Sequence, residues 1–124
     1  MPARSFLEEN KISPEALTAM TKFSGHTVKV VQEALKKHDV VVVGMAQNPY
    51  VKTARRTLEN AKINFHYLEY GSYFSQWRTR LAIKLWSGWP TFPQIFVKGV
   101  LIGGSDDTSA YVKSGQLQKL LGQK

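Results

Sequence analysis

The hydrophobic pattern of the chain is anchored by Val40-Val41-Val42-Val43, four β-branched residues in a row behind the polar stretch Lys36 to Asp39. An unbroken apolar run of this length predicts a strand covered on both faces. Before it, Val28, Val31 and Leu35 recur at helical spacing, which predicts a helix over 27–37. After it, Asn48-Pro49 pairs a cap residue with a first-turn proline, and Val51, Ala54, Leu58 and Ala61 then mark one face of a second helix. Ile63, Phe65 and Tyr67 alternate with Asn64, His66 and Leu68, a strand pattern. Gly71-Ser72 opens a third helix with Phe74, Trp77, Leu81 and Leu85 on one face, and Gly88-Trp89-Pro90 breaks it. Two short strands, 94–97 and 100–102, are joined through Lys98-Gly99 as a hairpin. Gly103-Gly104 ends the sheet, and Asp106 or Asp107 caps a last helix bearing Tyr111 and Val112. Ser114-Gly115 interrupts that helix before Leu117, Leu120 and Leu121.

Residues 1–25 form a separate N-terminal section with two helix starts. Ser5 with Glu8 makes a capping box, and Ser13-Pro14 repeats the cap-then-proline signature. The expected organisation is a short helical extension over 1–25 and one domain over 26–124. The first two strands, joined through a helix, should be parallel with a right-handed crossover. The hairpin adds an antiparallel edge. The fold class is therefore α/β, with a four-stranded mixed sheet sandwiched between helices.

Composition agrees with a single globular domain: 124 residues, 43% apolar and 21% charged. The longest apolar run, Val40 to Ala46, is too short to span a bilayer, so no membrane association is expected. The first ten residues hold one base, Arg4, and no apolar signal core, which makes a cytoplasmic location the default expectation. There is no cysteine. That excludes disulfides, thiolate nucleophiles and thiolate metal ligands together. The formal charge is +8, and no Asp or Glu occurs from Gly71 to Ser105, where Arg78, Arg80, Lys84 and Lys98 lie. Lys52, Arg55 and Arg56 make a second basic group. Such a surface either attracts anionic partners or simply keeps the chain in solution. His26, His38 and His66 are scattered without ligand spacing, so no metal site is expected.

Three segments together resemble the glutaredoxin family. They are Asn48-Pro49-Tyr50-Val51, Trp89-Pro90-Thr91-Phe92-Pro93-Gln94 and Gly103-Gly104-Ser105-Asp106-Asp107, in that order along roughly residues 26–122. The second is most similar to the monothiol branch. The resemblance implies the thioredoxin-like glutaredoxin fold and a glutathione groove. It would be lined by Asn48, Tyr50, Arg80, Lys84, Thr91, Phe92, Pro93, Gly104, Ser105 and Asp106.

The residue chemistry can be weighed on its own at each point. Asn48 stands at a strand-to-helix junction, where free N–H groups and the helix dipole favour an anion. The family keeps its nucleophilic cysteine there as a thiolate. Here Asn48 and Val51 occupy the two cysteine positions, so a plain helix cap explains Asn48 equally well. Pro93 resembles the family's cis-proline, which would set the Phe92 backbone against the cysteine of glutathione. As a residue it equally starts an edge strand. Gly103 to Asp107 resembles the segment that meets the γ-glutamyl end, with Asp106 toward its ammonium. An aspartate-capped turn accounts for the same residues. Arg80, with Lys84, stands where the family grips the glycine carboxylate, a task suited to guanidinium. An exposed basic helix face is the alternative.

The expected function is a glutaredoxin-related module without the thiol nucleophile. It would bind glutathione or a protein partner at the same groove, and hold no iron–sulfur cluster. A second reading is catalytic: a transferase-like or disulfide-reducing activity that uses the thiol of bound glutathione, polarised by Asn48 or Tyr50. A third, basic docking to an acidic partner or nucleic acid, lacks a recognised motif.

Overall fold

The computed structural model describes residues 7–122. A single 3-10 turn, Glu9–Lys11, precedes α1 (Pro14–Lys22) and α2 (Gly25–Lys37). Then follow β1 (Val40–Gly44), α3 (Pro49–Asn60), β2 (His66–Glu69), α4 (Trp77–Ser87), β3 (Gln94–Val97) and β4 (Val100–Gly103). The described residues close with α5 (Ser105–Lys113) and α6 (Gln116–Leu120). Ser13 caps α1 by accepting from the Ala16 N–H at 3.1 Å, as its sequence context predicts. The capping box at Ser5 falls outside the described residues.

The sheet order is β2-β1-β3-β4, with β1 parallel to β2 and antiparallel to β3, and β3 antiparallel to β4. The valine run is the central strand, and its period of two divides it between two cores. Val41 and Val43 pack with Val31, Ala34, Ile83, Phe92 and Phe96 under α2 and α4. Val40 and Val42 pack with Ala54, Leu58, Ile95 and Leu117 under α3 and the C-terminal helices. Burying each of these valines in its own core stabilises the fold by about 1.5–3 kcal/mol relative to an exposed side chain. Gly44 ends β1 where a Cβ would lie 2.7 Å from the Val51 side chain and 3.0 Å from the Tyr67 ring, so α3 and β2 converge there only over glycine. Lys98 and Gly99 both take positive φ, the requirement of a two-residue hairpin turn.

Two sequence expectations are corrected by the third helix. It begins at Trp77, not at Gly71-Ser72, because residues 71–76 form a loop. There the Ser75 hydroxyl accepts from the Ser72 N–H at 3.1 Å, and Gln76 at φ 55° precludes an earlier helical turn. The face bearing Trp77 and Leu85 also points to solvent, and α4 buries Arg80, Ala82 and Ile83 instead.

Arg80 is a strut of that loop. It is 7% exposed and its Nη1 donates to the carbonyls of Tyr70, at 3.1 Å, and of Ser75. Arg80→Ala should therefore lower the unfolding free energy by about 1–3 kcal/mol, the scale for hydrogen bonds made by a charged group. Urea denaturation checks it; an unchanged midpoint would show that the loop holds without the guanidinium.

Candidate functional site

The C-terminal ends of β1 and β2 open toward the N-terminus of α3, and the loop before β3 and the turn after β4 close in beside it. Asn48 is the junction. Its Oδ1 accepts from the N–H groups of Tyr50, at 2.9 Å, and Val51, at 3.2 Å. Its Nδ2 donates across the site to the Phe92 carbonyl at 3.4 Å. The residue is 7% exposed, so both ends of the amide are spent on backbone. Propensity foretells the cap; the bond to a residue 44 positions away has no local signal.

The Phe92-Pro93 peptide is cis. Lys84 reaches over from α4 with its Nζ 5.6 Å from the Phe92 ring centroid, which puts a cation beside the cis-proline loop. Gly104 faces Pro93: a Cβ there would meet the Pro93 carbonyl at 3.5 Å and the Trp89 indole nitrogen at 3.6 Å. That indole nitrogen is buried without a hydrogen-bond partner. Asp107, rather than Asp106, closes the turn by accepting from the Gly104 N–H at 3.0 Å. Asp106 is left exposed, as is Thr91, while Ser105 is buried. Tyr50 is largely exposed at the mouth.

Asn48, Tyr50, Lys84, Phe92, Pro93 and Gly104 are thus brought to one end of the molecule. Arg80 is turned into the loop beneath it. Trp89 and Asp107 belong to the same end, although sequence reasoning gave neither a role at the groove. The donor set does not fit an iron–sulfur cluster, because the position beside the cis-proline offers a carboxamide already committed to backbone.

Behind the site, Arg55 of α3 stacks over the Tyr67 ring at 3.9 Å, and the Tyr67 hydroxyl donates to Glu69 at 2.9 Å. Burial, seconded by Glu69, pushes the Tyr67 phenol up to about 12 from 10.0. Burial also raises Tyr70. Each phenol is neutral below its ordinary value, so its contribution to stability is fully present there. That contribution is lost as pH rises from about 10 through the folded value. Melting temperature should fall between pH about 10 and 12, and less so in Tyr67→Phe. An equal fall in the variant would assign the effect elsewhere.

At the opposite end, His38 and His66 are not scattered but stacked, with ring centroids 4.1 Å apart and planes within 3°. Face-to-face rings do not converge their nitrogens. Among the described residues no group of three His, Asp or Glu could hold a metal ion. No helix among them is long and apolar enough to cross a membrane.

A mixed sheet of this order, flanked by helices and carrying a cis-proline beside a helix N-terminus, defines a thioredoxin-like α/β protein. Within that class, a glutaredoxin family model matches residues 40–102. A glutaredoxin-like protein of Dictyostelium discoideum is 46% identical over 79% of this chain and 80% of its own length. The chain belongs to the glutaredoxin family. Oxidised glutaredoxin 2 from Chlamydomonas reinhardtii superposes with a TM-score of 0.68 at 25% identity, covering 79% of this chain and 92% of that one. A buckwheat glutaredoxin–glutathione complex shares the fold with a TM-score of 0.68 at 19% identity, covering 79% and 89%.

Proposed function

We propose that this chain is a glutaredoxin-fold module that binds glutathione without forming a disulfide to it. The observation that carries the reading is Asn48. It occupies the helix N-terminus where a thiolate would act, and ties that terminus to Phe92 beside the cis-proline. The buckwheat glutaredoxin that shares this fold was solved as a complex with glutathione. With no cysteine in the sequence, thiol–disulfide exchange has no protein nucleophile.

Glutathione would lie along Phe92 with its glycine carboxylate toward Lys84 and its γ-glutamyl ammonium toward Asp106. Arg80 is committed to Tyr70 and Ser75, so Lys84 is the base that faces this groove. The transferase-like alternative would rest on the Tyr50 hydroxyl or on the second N–H of the Asn48 amide, since the first already donates to Phe92.

Calorimetric titration with glutathione tests the proposal. Weak binding is expected, falling with added salt, because charge contacts between exposed groups are screened. Lys84→Ala should weaken it about twofold to tenfold. No heat at about millimolar ligand would sink the glutathione reading. Measurable conjugation to an aromatic electrophile above the blank would favour the transferase-like one.

A further inference from the structure

The outer face of α4 carries exposed Trp77 and Leu85 on either side of half-buried Leu81, and no other described residue covers them. Trp77, Leu81 and Leu85 fall at i, i+4 and i+8, a ridge about 12 Å long. Trp77 is 60% exposed and Leu85 68%, and Phe74 in the preceding loop is 94% exposed. Isolated apolar residues on a surface mean little, but a contiguous set marks an interaction site. Helical geometry places Arg78 along one side of this ridge and Lys84 along the other. Arg78 lies 4.9 Å from the Phe23 ring centroid and 5.6 Å from that of Trp77, and Lys84 sits over Phe92. No carboxylate occurs in the sequence from Gly71 to Ser105 to neutralise either.

From this charge pattern we infer that the α4 ridge docks an acidic, apolar-bearing segment of another protein, leucine or aromatic side chains on the ridge and carboxylates against Arg78 and Lys84. Lys84 joins the ridge to the groove described above, so the docked segment would run beside Phe92. The docking needs no bound glutathione, although the two ligands would share Lys84. A second copy of the chain is a poorer occupant, since a two-fold contact of this ridge brings basic flanks against basic flanks. A nucleic acid strand is poorer too, because two bases, both already lying over rings, do not make the cationic track that follows a phosphate backbone.

The test is selection of random peptides about twelve residues long on the immobilised full chain, with the winner resynthesised and its affinity measured by fluorescence anisotropy. Enriched peptides should carry more acids than bases around apolar residues. Leu85→Asp and Trp77→Ala should each weaken the resynthesised peptide about tenfold or more. Arg78→Glu should do likewise, and Val100→Asp, on the exposed edge of β4, should not. Each substituted side chain is exposed, and melting curves establish that the variants are folded. Peptides without acidic bias, or binding indifferent to Leu85→Asp, would overturn the proposal. So would tighter binding of an oligothymidylate lost in the same variants, which would assign the ridge to nucleic acid. Dimerisation abolished by Leu85→Asp would assign it to self-association. Repeating the peptide titration with and without glutathione separates this outcome from that of the glutathione reading.

Discussion

Asn48→Cys is expected to place a reactive thiol at the N-terminus of α3. The helix N-terminus that would activate it is in place. The Tyr50 and Val51 N–H groups that now meet Asn48 Oδ1 at 2.9 and 3.2 Å would be left for a thiolate. Such a field lowers a cysteine pKa below its ordinary value of about 8.5, so the thiolate fraction at neutral pH rises. That thiolate can attack a glutathione mixed disulfide and expel the partner thiolate. A second glutathione then releases the protein thiolate and leaves as glutathione disulfide, a cycle that needs one protein sulfur. One sulfur is what this scaffold accommodates, since Val51 is packed in the core with Val31 and Ile83 and would give a buried second thiol. The variant gives up the asparagine cap, worth about 0.5–2 kcal/mol, which the thiolate partly restores because it too is an acceptor. Turnover of a mixed disulfide should be at the glutathione blank for the native chain and clearly above it for Asn48→Cys. A variant thiol that titrates at the ordinary value and stays inert would show that the helix field does not reach the sulfur.

How much of this site was legible in the sequence follows from what each signal can carry. The valine run needed no tertiary information, because four consecutive β-branched residues have few alternatives to a buried strand. The cap at Asn48 was legible for the same local reason. Its bond to Phe92 depends on β1 pairing with β3, a long-range event that no window of sequence contains. The third helix was misjudged in a more instructive way. Periodicity marks the apolar side of a helix, and that side is ordinarily assigned to the core. Here the sheet takes the side with Ala82 and Ile83, and Arg80 is buried with them because two loop carbonyls satisfy it. A charged residue in a helix is read as exposed unless its partners are known, and these partners are backbone atoms. The stacking of His38 on His66 was hidden likewise, since it joins the end of α2 to the start of β2. Because α4 turns Ala82 and Ile83 to the sheet, Trp77 and Leu85 are left on its outer side.

Leu117→Ala should be among the most destabilising single substitutions in the chain, while Leu120→Ala should be nearly silent. The sequence groups Leu117, Leu120 and Leu121 as one apolar set. The structure separates them: Leu117 is fully buried against Val40, Val42, Leu58 and Ile95, Leu121 is half-buried, and Leu120 is exposed. A helix of five residues has no stability of its own, so α6 exists because Leu117 is anchored in the sheet core. Removing that anchor costs the transfer energy of the side chain and leaves a cavity under the valine strand, together about 2–5 kcal/mol. Alanine is the best helix former, so none of the loss can be charged to local propensity. Since α6 lies on the face of the sheet away from Phe92 and Lys84, ligand affinity should be unchanged wherever the variant is still folded. Urea unfolding of the native chain, Leu117→Ala and Leu120→Ala reads the effect as a shift in midpoint. Equal midpoints for the two variants would mean that α6 is a loosely attached end, and that the second core closes at Leu58 and Ile95 without it.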